Sequence, residues 1–169
     1  MPTSKFQRVV FAFLTVTITV HLFVFYNLAI SMGGMSNEVF KASRGIVGIE
    51  FVFAFLLEVF IVGSLAEKLA FKVVNPAEEK PYIITTAIIC ATVGLMCPMM
   101  SFIATILYNG INIEFLANWM QKIVINFPFA LLSQLFFIQP FVRFLFGTIF
   151  KKQGENKENQ YVPESMEFE

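Results

Sequence analysis

The sequence is poor in the residue types from which most enzyme and metal sites are built. Its 169 residues include one His and two Cys, and they contain no glycine-rich phosphate-binding motif. A structural zinc site needs a cluster of Cys or His ligands, and a hydrolytic triad needs a positioned base beside its nucleophile. We therefore expect a protein that is not an enzyme and that has no metal and no cofactor.

Charged residues are also scarce. They make up 14% of the chain, and the formal net charge is +0, whereas about a quarter of an ordinary soluble domain is charged. Nucleic-acid recognition needs a dense basic patch, so no nucleic acid partner is expected. The chain is instead 57% hydrophobic, with 22 Phe and a mean hydropathy of +0.71. This composition excludes a conventional soluble domain.

Four long apolar runs account for the high hydropathy. A helix rises about 1.5 Å per residue, so about 20 apolar residues cross the hydrocarbon core of a bilayer. The runs are Val9–Ile30, Ile46–Ala66, Tyr82–Tyr108 and Ile123–Val142. The first is longer than the apolar part of a typical signal peptide, so we interpret it as retained. The prediction is an all-α polytopic membrane protein with four transmembrane helices, surrounded by membrane lipid.

The basic residues indicate which side of the membrane each connection faces. Cytoplasmic segments carry an excess of Lys and Arg. Nine of the 12 basic residues fall on one side of the predicted helices: Lys5, Arg8, Lys68, Lys72, Lys80, Arg143, Lys151, Lys152 and Lys157. We therefore predict that both termini are cytoplasmic. The segment 31–45 becomes the long external loop, with a stretch able to form a short interfacial helix.

The two halves of the chain can be overlaid. "FYNLAI" at 25–30 matches "LYNGIN" at 107–112, an offset of 82 positions. "EFVFAFLLEVFIVGSLAEKL" from residue 50 matches "NFPFALLSQLFFIQPFVRFL" from residue 126, an offset of 76. The six-residue difference predicts that the first external loop is longer than the second. The chain is thus interpreted as a duplicated helical hairpin whose two copies have the same orientation.

The overlay also divides the chain into segments. Residues 1–70 form the first predicted hairpin and residues 82–152 the second. The charged, Pro-containing stretch 71–81 is the predicted cytoplasmic linker. The polar and mostly acidic residues 153–169 have too few apolar side chains to form a core, so we predict a disordered cytoplasmic tail.

Two carboxyl residues on the second helix align with amides on the fourth. Glu58 matches Gln134 and Glu50 matches Asn126, so each helix carries two polar residues that are eight positions apart. Polar side chains within a membrane face the interior of the bundle, where they find partners. We therefore expect these four residues to face one another across a path, with a hydrogen bond or a shared proton between Glu58 and Gln134.

Glu58 is the leading functional candidate, because a carboxyl in hydrocarbon is costly to ionise and can bind and release a proton. The alternative is a protonated Glu that only joins neighbouring helices. Glu50 is expected near the outer end, in a solvated position. His21, the single histidine, is a candidate proton-relay partner of Glu58, since imidazole titrates near neutral pH. The alternative for His21 is a neutral packing residue.

These paired motifs resemble a known family. "YN" closes the odd-numbered helices, and the even-numbered helices contain "EFVFAFLLEVFIVGSLAEKLAFK" and "NFPFAL…QPFVRFL". Over about residues 5–150 the chain is similar to the bacterial domain-of-unknown-function 2798 family, small two-helix membrane domains here present in tandem. The resemblance implies a protein of the bacterial inner membrane and supplies no activity. The four-helix architecture is also similar to that of small drug efflux pumps, although their carboxylate lies in the first helix.

Three functions are open at this point. The first is a small proton-coupled transporter of an amphipathic or cationic small molecule, expected as a homodimer because four helices barely enclose a path. The second is a non-transporting scaffold or accessory subunit. The third is a membrane sensor that meets its ligand at the external loop.

Overall fold

The computed structural model describes residues 4–75 and 78–158, and these residues contain helices and no strands. The α-helical elements are α1 Lys5–Ser31, α2 Asn37–Leu57, α3 Gly63–Val73, α4 Pro81–Asn109, α5 Phe115–Ser133 and α6 Gln139–Glu158. Two short π-helical elements interrupt this series. Glu58–Val62, here π1, joins α2 to α3, and Gln134–Ile138, here π2, joins α5 to α6.

Four of the resulting helices are long and apolar enough to cross a membrane, which confirms the predicted class. The first span is Phe6–Ser31, the second Asn37–Val73, the third Pro81–Asn109 and the fourth Phe115–Phe150. The second and fourth spans exceed the predicted apolar runs at both ends. Hydropathy detects only the part of a helix that lies in hydrocarbon, so the polar ends of these helices were not detected.

The connection between the first two spans differs from the prediction. The segment 31–45 is not a long loop, because α2 already begins at Asn37. Lys41 donates a 2.7 Å hydrogen bond to Glu38 on its exposed face, while Val39 is fully buried. The stretch assigned to an interfacial helix is therefore the amphipathic first part of α2.

The two loops on this side have the same length, so the expected six-residue difference lies elsewhere. The loops comprise residues 32–36 and 110–114. α1 continues four residues past Asn27, whereas α4 ends at Asn109, which aligns with Asn27. α2 starts two residues before Val39, which aligns with Phe115 at the start of α5. Gly33 and Gly110 adopt φ of 76° and 67°, a left-handed conformation that favours glycine and lets the chain turn sharply.

The four spans form a ring in chain order. The first span packs against the second and, through α6, against the fourth. The third span contacts α5 and also α2 and α3. Among the described residues no backbone contacts join diagonally opposite spans. Each span therefore contacts its two neighbours in the ring, and the centre of the ring is open.

The interfaces between neighbouring spans use small and β-branched side chains, which allow helices to approach closely. One cluster is centred on Val16, Val20, Val24 and Ala54, and another on Ile89, Val93 and Ala130. Large aromatic side chains point outward instead, including Phe60, Phe136, Phe137 and Phe144, each at least two-thirds exposed. Large apolar side chains therefore cover the outside of the bundle, which fits contact with lipid, whereas a soluble protein places them in its core.

The last helix of each half continues beyond the predicted end of its hairpin. α3 continues to Val73, within the segment assigned to the linker, and α4 starts at Pro81. α6 continues to Glu158, so the first residues of the segment predicted as a disordered tail are helical. Residues 76–77 of the linker and residues 159–169 of the tail lie outside the described residues.

Candidate functional site

The open centre of the ring is a cavity of about 900 Å³ lined by all four spans. That volume is at the upper end of the range found for small-molecule sites. Most of the wall is apolar, with Val, Met, Ala and Phe side chains, and a smaller number of polar groups project among them. Four of the five predicted site residues line this cavity: Glu50, Glu58, Asn126 and Gln134.

The two π elements place Glu58 and Gln134 at equivalent positions of the second and fourth spans. Each is the first residue of its element, and the two are 76 positions apart, the same offset as in the sequence overlay. The Gly63 N–H bonds to Glu58 O, and the Gln139 N–H bonds to Gln134 O, as the wider π turn requires. π-helical bulges are rare and often occur at functional sites.

Glu58 is half-buried and faces the cavity. In the described part of the chain, no hydrogen bond or ion pair reaches its carboxyl group. A carboxyl group that is withdrawn from bulk water and lacks a protein partner can bind a proton or a cationic group. Glu58 is therefore a candidate for binding a proton or a cation at the cavity wall.

The predicted hydrogen bond between Glu58 and Gln134 is not formed. Gln134 Nε2 instead donates to Thr19 Oγ1 of the first span at 2.9 Å. The reason is the ring order of the helices, because the second and fourth spans are diagonally opposite and the cavity separates them. The two side chains share the cavity without touching.

Two amide oxygens of the fourth span lack hydrogen-bond donors. Asn126 is 4% exposed and Gln134 is 9% exposed. The Asn126 Oδ1 and Gln134 Oε1 atoms are buried, and no donor among the described residues reaches either of them. Buried polar atoms are usually paired, and leaving one unpaired costs roughly 1–3 kcal/mol. Both oxygens are therefore unpaired acceptors on side chains that line the cavity.

Glu50 is not in the solvated position expected for it. It is 5% exposed, and Tyr108 Oη donates to its Oε1 at 2.9 Å across the interface of the second and third spans. Lys122 Nζ lies 4.8 Å from the centroid of the Tyr108 ring. The position is buried because α2 continues well beyond Glu50 toward the loops, so the residue does not lie at the helix end.

A second tyrosine makes the corresponding contact on the opposite side of the ring. Tyr26, which aligns with Tyr108, donates from Oη to Ile125 O at 3.4 Å. Its ring stacks on Phe129 with centroids 3.9 Å apart and an interplanar angle of 4°. Each tyrosine thus joins an odd-numbered span to the even-numbered span of the other half. Neither tyrosine lines the cavity, and the lining residues beside them, Glu50 and Asn126, are buried, so we call this the closed end of the cavity.

The other end of the cavity, near the termini, is more open. The lining residues there are exposed, among them Arg8, Ser64, Glu67 and Arg143. Arg143 Nη2 donates to Thr85 Oγ1 of the third span at 3.0 Å. Because exposure rises from Asn126 and Glu50 toward this end, we describe the cavity as open on the side of the termini.

His21 is not brought to the cavity. It is exposed on the opposite face of the first span, and its Nδ1 atom lies 2.7 Å from Thr17 O. The lining residues of that span are offset around the helix and include Thr19, Val20 and Phe23. A proton relay from His21 to Glu58 therefore has no geometric basis in this structure.

Other polar residues on the cavity wall were not predicted as site residues. They include Asn27, Thr19, Ser101, Arg8, Glu67 and Arg143. The arginines were assigned to the cytoplasmic surface, and only the contact with Thr85 shows that Arg143 turns inward. In the described residues no group of three His, Cys, Asp or Glu side chains is arranged to hold a metal ion.

Comparison with known proteins gives a family without an activity. The model of a domain of unknown function, DUF2798, matches the chain twice, over residues 4–74 and 79–150. The uncharacterized protein YybC of Bacillus subtilis strain 168 is 29% identical over 149 residues, which cover 86% of this chain and 92% of that protein. No solved structure matches the chain.

Proposed function

The chain belongs to the DUF2798 family, and from that premise and the geometry of its cavity we propose that it is a proton-coupled transporter of a cationic or amphipathic small molecule. The observation that carries this proposal is the unpaired carboxyl of Glu58 on a large cavity wall within the membrane. A proton and an ammonium group compete for the same carboxyl oxygen, so binding of one releases the other. That competition is the simplest form of coupling.

The composition of the wall fits such a substrate. The apolar side chains accommodate a hydrocarbon portion, and the unpaired oxygens of Asn126 and Gln134 accept hydrogen bonds from a cationic head group. The other charged groups that line the cavity are Glu50 near the closed end and Arg8, Glu67 and Arg143 near the open end. Sites of this kind combine an apolar cavity with a few placed polar groups.

The finer features of the topology belong to the same proposal. We place both termini in the cytoplasm because nine of the 12 basic residues lie on their side. The cavity is then open to the cytoplasm and closed toward the outside, where Tyr26 and Tyr108 join neighbouring spans. The equal offsets of the π elements and of the aligned residues support an origin by duplication, with repeats related by an axis along the membrane normal. We also propose a homodimer in the bacterial cell membrane, because twofold assemblies are the commonest.

The test is proton flux in proteoliposomes that contain the purified protein and an entrapped pH indicator. A dye with a guanidinium head group is the best first substrate, because this group stays charged and cannot cross lipid as a neutral amine, and its N–H groups can donate hydrogen bonds. We expect dye-dependent proton release by the wild type and its loss in Glu58→Gln. Glu114→Gln is the matched control, because Glu114 is exposed in the second loop and does not line the cavity.

The outcome separates the open functions. If the Glu58→Gln variant is folded and transports as well as the wild type, the proposed mechanism is refuted. If neither protein transports any compound of a panel of amines and dyes, and a stable partner protein co-purifies, the accessory-subunit function replaces the transporter.

A further inference from the structure

The polar groups of the cavity form two levels along its length. On the second span the levels are marked by Glu50 and Glu58, and on the fourth span by Asn126 and Gln134. Residues eight positions apart on a helix are separated by about 12 Å along its axis. Each level therefore offers one carboxyl group from one wall and one amide oxygen from the facing wall.

The space between the levels is lined by small and apolar side chains. Ala54 is midway between the two carboxyl residues and Ala130 midway between the two amides, and they are 3% and 6% exposed. Val93 and Met96 of the third span line the same cavity. This stretch has room for a hydrocarbon chain and offers no charged group to interrupt it.

The unpaired oxygens specify what each end of a ligand must carry. Asn126 Oδ1 and Gln134 Oε1 are buried acceptors without a donor among the described residues. A ligand with N–H or O–H groups at both levels can donate to the two oxygens. The carboxyl groups at the same levels favour donors that are also positively charged.

Building on the proposed transport function, we propose that the cavity binds an extended linear diamine, with one ammonium group at each level. An extended chain advances about 1.2 Å per bond, as a polypeptide backbone does. A separation of about 12 Å then requires about ten bonds between the nitrogen atoms. Diamines with about eight to nine atoms between their nitrogens match this length, whereas diaminobutane is too short to reach both levels.

Tyr108 does not prevent binding at the Glu50 level. It donates to one carboxyl oxygen, Oε1, and a carboxylate accepts further hydrogen bonds on its other oxygen. The tyrosine holds the carboxyl group in position at the closed end of the cavity. The ammonium group at this level is therefore the one that enters first and lies deepest.

The test is isothermal titration calorimetry on the full protein in nanodiscs, with empty nanodiscs as the background for partition into lipid. The ligands are diaminobutane, diaminohexane, diaminooctane, diaminononane and diaminodecane, with octylamine as the matched single-headed control. We expect an affinity maximum at diaminononane, with diaminooctane and diaminodecane next, tenfold or more above diaminobutane and octylamine, because one charge-assisted contact is worth about one to two decades in affinity.

Variants assign the two ends. Glu50→Gln keeps an acceptor for Tyr108 and removes the charge at one level, so diaminooctane should fall to the affinity of octylamine. Glu58→Gln removes the charge at the other level and should have the same effect, whereas Glu114→Gln, outside the cavity, should leave both affinities unchanged. An affinity that is flat with length, or that rises steadily through diaminodecane, overturns the diamine proposal while leaving amine transport intact. If no amine binds at all, the proposed function fails as well.

Discussion

Tyr108→Phe is the change that most directly tests how the closed end of the cavity is held. The substitution keeps the ring and removes only the hydroxyl that donates to Glu50 at 2.9 Å. A hydrogen bond to a charged group contributes about 1.5–3 kcal/mol, and interhelical bonds measured in membranes reach about 1.7 kcal/mol. We therefore expect a loss of about 1.5 kcal/mol in the free energy of unfolding.

Tyr26→Phe is the matched comparison at the equivalent position. Its hydroxyl donates to a neutral backbone carbonyl, that of Ile125, at the longer distance of 3.4 Å. An average interhelical bond in a membrane contributes only about 0.6 kcal/mol. The stacking on Phe129, which both Tyr and Phe can make, is retained.

Thermal unfolding in detergent separates the two variants. For a chain of 150–250 residues, 1 kcal/mol shifts Tm by roughly 2–4 °C. We expect Tm to fall by about 3–6 °C for Tyr108→Phe and by about 1–2 °C for Tyr26→Phe. In a Glu50→Leu background the acceptor is gone, so Tyr108→Phe should then cost almost nothing, as a double-mutant cycle measures. Equal shifts for the two tyrosines, or an unchanged cost in the Glu50→Leu background, would refute this account of the closure.

Three further predictions concern the cavity wall. Gly63→Ala puts a Cβ 2.9 Å from Glu58 O, so it should disturb π1 and reduce amine-driven flux. The control is Gly48→Ala, whose Cβ meets nothing within 4 Å. This control should raise Tm by a few degrees, because Ala is roughly 0.5–1 kcal/mol more favourable than Gly in a helix. His21→Phe should leave flux unchanged in the same assay, because His21 faces away from the cavity, and a lost signal would reinstate the relay. The exchange Glu58→Gln with Gln134→Glu should recover part of the flux lost in Glu58→Gln alone, because both positions begin a π element on the cavity; no recovery in a folded protein would show that they are not equivalent.

The membrane class could be predicted from the sequence because it depends on the hydropathy summed along each helix. Twenty apolar residues in a row leave few alternatives to a span, and all four spans were found. The start of α2 was missed because Asn37, Glu38 and Lys41 are polar, and a helix that leaves the hydrocarbon loses the hydropathy signal while keeping its backbone hydrogen bonds. At such ends, hydropathy alone cannot distinguish a longer loop from a longer helix.

The sequence predicted part of the cavity lining but not how the lining residues pair. Pairing Glu58 with Gln134 and Glu50 with Asn126 by alignment selected four residues that do line the cavity. The alignment could not supply the order of the spans around the ring, so it could not show that the two members of each pair are held apart. For the same reason His21 was predicted as a relay partner of Glu58 from its chemistry alone, although it lies on the face of its helix that points away from the cavity.

The differences between the two halves carry more functional information than their similarities. The similarities, such as the π elements and the tyrosines, build the frame of the cavity. Where the halves differ, the first places carboxyl groups and the second places amides. Carboxyl groups at all four positions would bring four like charges into a region of low dielectric, where their repulsion is strong. Amides at the facing positions accept the same hydrogen bonds without adding charge, which fits the proposed exchange of protons for a cation at the two levels. Two hairpins that differ in this way are suited to that exchange.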